Sequence, residues 1–88
     1  MLSVEEIKIW ILVKLYRRDY WGHCMMDEDD LVNPKIPRKD QVKILKEMIN
    51  KGILLRKPGI KSGKFRYSLN LREKAYIENI VKKELLKD

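Results

Sequence analysis

Cysteine, glycine and proline are scarce in this sequence, and long uncharged apolar runs are missing. Its 88 residues include one cysteine, four glycines and three prolines. One cysteine, Cys24, cannot form a disulfide within the chain, and so little glycine and proline argues against a disordered or low-complexity protein. Apolar runs such as 9–13 are too short to span a bilayer, and residues 3–6 lack the basic start of a secretory leader. We therefore expect a soluble, cytoplasmic protein.

Residue types that perform catalysis or bind metals are equally few. His23 and Cys24 are adjacent, and no second ligand pair follows at the spacing of a zinc site. The acidic stretch 27–30 lies close to Cys24 and disfavours a thiolate nucleophile there. The same acidic residues have a structural purpose at a helix start, and no glycine motif that would cradle a phosphate is present. We expect a protein that is not an enzyme and needs no cofactor or metal.

Positive charge is concentrated in the middle of the chain. The sequence has 20 Lys and Arg against 13 Asp and Glu, a net charge of +7. Range 35–66 carries eleven basic residues against two acidic ones, so its charge is +9 and the remainder sums to −2. A field concentrated in this way attracts polyanions, although charge alone leaves open an ordinary solvated surface. The eleven are Lys35, Arg38, Lys39, Lys43, Lys46, Lys51, Arg56, Lys57, Lys61, Lys64 and Arg66.

Two helices are predicted in the first third of the chain. Residues 3–6, Ser-Val-Glu-Glu, form a capping box, and the helix that follows runs to about Arg18 with apolar residues on several sides. Residues 20–22 end it, with Gly22 suited to a left-handed conformation. The acidic residues 27–30 then predict a second helix of about two turns that stops before Asn33-Pro34.

A third helix, a hairpin and a last helix complete the predicted order. The third helix covers about 38–51, and two strands joined by turn residues follow within about 53–69. Asn70 begins a second capping box, and the last helix covers about 71–87. On the third helix, the predicted apolar face consists of Val42, Leu45, Met48 and Ile49. The opposite face presents Lys39, Lys43, Lys46 and Asn50.

This order predicts a single, mainly helical α+β domain over 1–88. Leu45-x-x-Met48-x-x-x-Gly52-x-Leu54, followed by a basic hairpin, resembles the recognition helix and wing of winged-helix regulators over about residues 3–70. Residues 20–22, Tyr-Trp-Gly, followed by Asp-Leu-Val at 30–32, are similar to small stand-alone archaeal winged-helix proteins. The resemblance implies a winged helix-turn-helix fold with a two-stranded wing, and duplex-DNA binding in transcription regulation.

One feature departs from that family. The second helix of a DNA-binding helix-turn-helix commonly crosses the phosphate backbone, whereas residues 27–30 are strongly acidic here. This departure disfavours close docking of the second helix on DNA.

The resemblance assigns DNA contacts to the third helix and the wing. The third helix would enter the major groove, with Lys39 and Lys43 reaching base edges and Lys46 and Asn50 further along. Arg38 lies nearer the core side, so we expect it to hold a phosphate. Since lysine offers little bidentate geometry, sequence specificity is expected to be modest. The wing residues expected to contact phosphates are Lys57, Lys61, Lys64 and Arg66.

Two further questions stay open in the sequence. A winged helix also serves as a protein-interaction adaptor in transcription, replication or repair complexes, and that alternative predicts an exposed apolar patch. The apolar first and last helices either cover one another or build a homodimer, which we favour.

Overall fold

The computed structural model describes residues 3–59 and 63–86, which form a small α+β fold of four helices and a three-stranded antiparallel sheet. This confirms the predicted structural class. The helices are α1 (Val4–Arg17), α2 (Glu28–Leu31), α3 (Arg38–Asn50) and α4 (Lys74–Leu85). The strands are β1 (Met26–Asp27), β2 (Leu54–Pro58) and β3 (Phe65–Leu69).

Helix α1 begins as predicted. The Ser3 hydroxyl accepts a hydrogen bond from the Glu6 amide at 3.2 Å, and the Ser3 amide donates to the Glu6 carboxylate at 3.4 Å. The helix ends at Arg17, one residue earlier than expected. Gly22 has a φ of 56°, which confirms its predicted left-handed conformation.

The prediction of a two-turn second helix is wrong, because α2 contains a single turn. Strand β1 takes residues 26–27, which pair with Tyr67 and Arg66 of β3. At the other end Val32 is extended, with a ψ of 144°. Asn33 precedes a proline and so disfavours helical backbone, which stops the helix from continuing.

The sheet has the order β1-β3-β2, so β3 lies in the centre. The predicted hairpin of β2 and β3 is present, with Leu54 opposite Leu69 and Pro58 opposite Phe65. The Gly59 amide donates to the Lys64 carbonyl at 2.9 Å at the turn end of the hairpin. The sheet contains one strand more than the predicted hairpin, since β1 pairs with β3 on its other side.

The last helix starts later than predicted. Residues 71–73 form a 3-10 turn, in which the Asn70 side chain accepts from the Arg72 amide at 3.1 Å. The Asn70 side chain also donates to the Gly52 carbonyl at 2.8 Å, and the Asn70 backbone amide donates to the Ile53 carbonyl. These bonds hold Asn70 at the end of the sheet, so α4 begins only at Lys74 and ends at Leu85. Residue 87, the predicted end, lies outside the described residues.

The core lies between the helices and one face of the sheet. Helices α1 and α4 contact each other, and the Tyr16 hydroxyl lies 3.4 Å from the Glu78 carboxylate. The homodimer through these helices stays a prediction. Within the described ranges, no helix is long and apolar enough to cross a membrane. The buried apolar residues are Ile7, Ile11, Leu12, Leu15, Met26, Leu31, Ile44, Leu45, Met48, Ile53, Leu54, Tyr67, Leu69, Ile77 and Val81.

Candidate nucleic-acid interface

Helix α3 has one buried side and one exposed basic side. At 3.6 residues per turn, the centres of the two sides lie about 180° apart. The predicted apolar face needs correction, because Val42 and Ile49 are only half-buried while Gln41 and Ile44 are buried. The buried residues are Gln41, Ile44, Leu45 and Met48. The exposed residues on the opposite side include Lys39, Lys43, Lys46 and Asn50, as predicted, and we name these four the lysine face.

Gln41 fixes the loop before α3 and was not singled out in the sequence. Its side-chain oxygen accepts from the Asn33 amide at 2.7 Å. Its side-chain nitrogen donates to the carbonyls of Asn33 at 2.8 Å and Ile36 at 3.0 Å. A polar residue at a helical core position was the signal, and it pointed to buried backbone groups that need partners. Gln41 thereby holds the 33–36 loop against the start of α3.

Arg38 lies at the first position of α3 and pairs with two acidic residues of α2. Its Nη2 donates to the Glu28 carboxylate at 2.8 Å and to the Asp29 carboxylate at 2.6 Å. These hydrogen bonds raise the pKa of Arg38, with the larger effect from Asp29. A phosphate bound by Arg38 would therefore have to share it with these carboxylates or displace one of them.

Lys64 is engaged in the same way on the hairpin. Its Nζ lies 2.9 Å from both carboxylate oxygens of Asp29. The hydrogen bonds from Arg38 and then Lys64 lower the pKa of Asp29 to about 2. One carboxylate of α2 thus joins the start of α3 to the turn end of the hairpin.

The other hairpin cations differ in their surroundings. Lys57 is exposed and lies opposite Arg66 in the sheet, while Asp27 faces Arg66 from the other side. Arg66 is half-buried, and its Nε has no hydrogen-bond partner among residues 3–59 and 63–86. Lys61, the remaining predicted wing contact, lies outside the described residues.

Arg56 is a further cation on the hairpin that sequence reasoning did not assign to the interface. Its guanidinium carbon lies 4.3 Å from the centre of the Phe65 ring, and the residue is exposed on strand β2. Stacking on an aromatic ring orients an arginine without removing its charge. The sequence signal was that Arg56 stands next to Lys57. Adjacent residues of a strand point to opposite faces of the sheet, so each face of β2 carries one of these cations.

A shallow apolar cleft of about 400 Å³ lies on the outer side of the hairpin. Leu55 and Leu71 line it with 38% and 58% of their surfaces exposed, and Met25 lies beside them. The cations Arg56, Lys57 and Arg72 also line this cleft. The combination of exposed leucines and flanking positive charge distinguishes this surface from the lysine face.

Cys24 is exposed and is not in a disulfide. Among the side chains of the described residues, no group of three or more His, Cys, Asp and Glu is arranged to hold a metal ion.

A scan against protein-family models found no match to the chain. Searches of curated proteins and of solved structures found no match either.

Proposed function

We propose that this chain is a winged-helix protein that binds duplex DNA and regulates transcription, with no catalytic activity. Helix α3 enters the major groove, and the hairpin of β2 and β3 lies along the adjacent backbone as the wing. The observation that carries this proposal is the lysine face, which projects three lysines and Asn50 from one side of α3 while the opposite side is buried.

The dimensions of α3 suit a groove. Its 13 residues span about 20 Å at 1.5 Å per residue, and the major groove, about 12 Å wide, admits one α-helix. Lys39 and Lys43 in the first half of α3 are the candidates for base edges. Lysines act as point charges, so most of the affinity is expected from phosphates and little from sequence.

The hairpin supplies the second group of cations. Lys57 and Arg56 are exposed on β2, and Arg66 lies beside Lys57 on the central strand. Phosphate contacts of this kind position a protein on DNA without reading its sequence. With about five phosphates contacted, the logarithm of the association constant should fall with a slope of about −4.5 against the logarithm of salt concentration.

The test is fluorescence anisotropy of a labelled random duplex at several salt concentrations. The triple variant Lys39→Ala, Lys43→Ala, Lys46→Ala should bind at least about tenfold more weakly than the unchanged protein, with a shallower salt slope. The matched control carries Lys74→Ala, Lys82→Ala and Lys83→Ala on exposed positions of α4, which remove the same charge. Equal losses in the two variants, or no binding at low salt, would refute the proposed interface.

A homodimer belongs to the same proposal, because two-fold symmetry would place two copies of α3 on related half-sites. Exposed apolar residues of α4, including Tyr76 and Leu85, offer surface for such a contact. Light scattering at micromolar concentration should give twice the mass of one chain. The mass of a single chain would contradict the dimer and leave the DNA-binding proposal intact.

A protein-interaction adaptor is the second candidate, and the cleft at Leu55 and Leu71 favours it. Two exposed leucines flanked by Lys57 and Arg72 suit an acidic partner with apolar side chains. The anisotropy experiment separates the two functions, because an adaptor would show weak DNA binding that salt abolishes. The variant Leu55→Ser, Leu71→Ser should leave duplex affinity unchanged if DNA is the partner.

A further inference from the structure

The Asp29 carboxylate lies between two cations that come from different elements. Arg38 at the start of α3 donates to it at 2.6 Å, and Lys64 at the turn end of the hairpin contacts both of its oxygens at 2.9 Å. Asp29 lies nine positions before Arg38 and 35 positions before Lys64 in the sequence, so the fold creates this convergence. The three side chains together resemble an occupied anion site.

A carboxylate and a phosphate make similar demands on such a site. Both are anionic oxygen acceptors, and arginine and lysine are the residues that bind phosphates most often. The Arg38 side chain remains 44% exposed, and those of Lys64 and Asp29 each remain 37% exposed. An anion from solvent can therefore reach both cations without unfolding the surrounding core.

We propose that Arg38 and Lys64 form a phosphate site that the Asp29 carboxylate occupies in the free protein and a DNA phosphate takes over in the complex. This inference rests on the proposed DNA binding and adds a built-in competitor to it. Asp29 then lowers the affinity for DNA, because each binding event must release the carboxylate from Arg38 and Lys64.

The neighbouring charges set the strength of this competition. Glu28 also pairs with Arg38, at 2.8 Å, and its side chain is only 8% exposed, so it stays on Arg38 when Asp29 leaves. Asp27 and Asp30 line the cleft of about 250 Å³ beside Asp29. In the unchanged protein an isolated phosphate would have to displace Asp29 as well as approach these acidic groups, so we do not expect it to bind there. A polyanion already held by the lysine face is at high effective concentration and can displace Asp29.

The first experiment compares Asp29→Asn with Asp30→Asn in the duplex titration. Both variants remove one negative charge, at adjacent positions of α2, and so raise the net charge by one. Of these two residues, Asp29 is the one that bridges Arg38 and Lys64. We expect Asp29→Asn to raise the duplex affinity about tenfold and to steepen the salt slope by about 1 to 2, since one or two cations become available to phosphates. Equal effects of the two variants would overturn the proposal, because net charge would then explain both. A loss of affinity in Asp29→Asn would overturn it as well, since the carboxylate would then be positioning the wing.

Lys64→Ala tests whether the gain runs through the proposed site. In the unchanged protein Asp29 neutralises Lys64, so Lys64→Ala should weaken binding less than Lys57→Ala, which removes an exposed hairpin cation. In the Asp29→Asn background, Lys64→Ala should remove most of the gain. An Asp29→Asn gain that persists in full without Lys64 would contradict the shared site.

Inorganic phosphate provides a readout that is independent of DNA. Millimolar phosphate should raise the melting temperature of Asp29→Ala more than that of Asp30→Ala at matched ionic strength. Both substitutions place alanine, a strong helix former, at exposed positions, so folded protein is expected from each. If no form binds the duplex, the proposed function fails, and a specific phosphate effect on Asp29→Ala still supports the anion site. Equal shifts in the two variants would reject the site even if the duplex binds.

Discussion

The hydroxyl of Tyr67 donates a hydrogen bond to Oε1 of Glu28 at 3.3 Å inside the fold. Tyr67 is 1% exposed and Glu28 6% exposed, so this pair links the central strand to α2 away from solvent. Arg38 pairs with the other oxygen of the same carboxylate. The Glu28 carboxylate therefore links the central strand to the start of α3, and it helps to fix the position of this helix against the sheet.

Tyr67 should ionise at an unusually high pH for a tyrosine. Burial and then the negative charge and hydrogen bond of Glu28 raise its pKa from 10.0 to about 12. Because the pKa is higher in the folded state, this contribution to stability is fully present below pH 10 and is lost as the pH rises toward 12. Ultraviolet titration should show a late tyrosinate step that is missing in Tyr67→Phe. A late step that survives in this variant would assign it to another tyrosine.

Arg38→Met should destabilise the protein by about 2 kcal/mol, because it leaves the buried Glu28 carboxylate without its cation. Urea unfolding measures the change, and Lys39→Met, on the exposed neighbour, should alter stability by less than about 0.5 kcal/mol. The double variant Glu28→Gln, Arg38→Met should recover much of the loss. If the double variant is as unstable as the sum of the single ones, the pair does not act as a unit.

Gln41→Met should cost about 3 kcal/mol in urea unfolding. The change keeps the volume but removes the side-chain partner of the part-buried Asn33 amide and Ile36 carbonyl, and one of the two donors to the Asn33 carbonyl. Polar groups left unsatisfied on burial cost about 1–3 kcal/mol each. Lys46→Met, on the exposed side of the same helix, is the matched control. A cost below about 1 kcal/mol for Gln41→Met would mean that water replaces the side chain.

Asp29 should stabilise the fold only above strongly acidic pH. Its pKa falls from the ordinary 3.8 to about 2, so its contribution is present above pH 3.8 and disappears as the pH falls through about 2. The difference in melting temperature between the unchanged protein and Asp29→Asn should follow this course. Lys64→Ala and high salt should both reduce that difference, since the pair is exposed. A difference that does not change between pH 5 and pH 2 would contradict the ion pairs.

Periodic features of the sequence predicted their structures well. The Ser-x-x-Glu spacing predicted the capping box at Ser3, and the helical repeat predicted the lysine face of α3. The change of period after Gly52 predicted the hairpin. Strand β1 escaped prediction because two residues carry no period. It forms because the centre of β3 offers backbone partners there, which a local pattern does not reveal.

Long-range pairs were beyond the sequence pattern for a different reason. A helix was correctly predicted at the acidic residues 27–30, although with two turns instead of one. Their acidity suggested only a helix start and a second helix that does not dock closely on DNA. The fold instead brings Asp29 to Arg38 and Lys64, two of the residues predicted to hold phosphates. A count of charges treats each lysine and arginine as independent. Whether such a residue is available to bind a phosphate depends on the acidic side chains that the fold places beside it.

The central position of β3 has a consequence for amide hydrogen exchange. On one side of β3, the Leu69 amide donates to the Tyr20 carbonyl at 2.9 Å. On the other side, the backbone hydrogen bonds from Gly59 to Lys64 and from Asn70 to Ile53 show which residues of β2 point their amides toward β3. By that alternation the backbone amide of Lys57 points toward β3, whereas the backbone amide of Arg56 points away from β3 to the open edge of the sheet. Two neighbouring residues on one strand should therefore exchange at very different rates. Slowing of the Arg56 amide after a partner is added would mark that edge as covered.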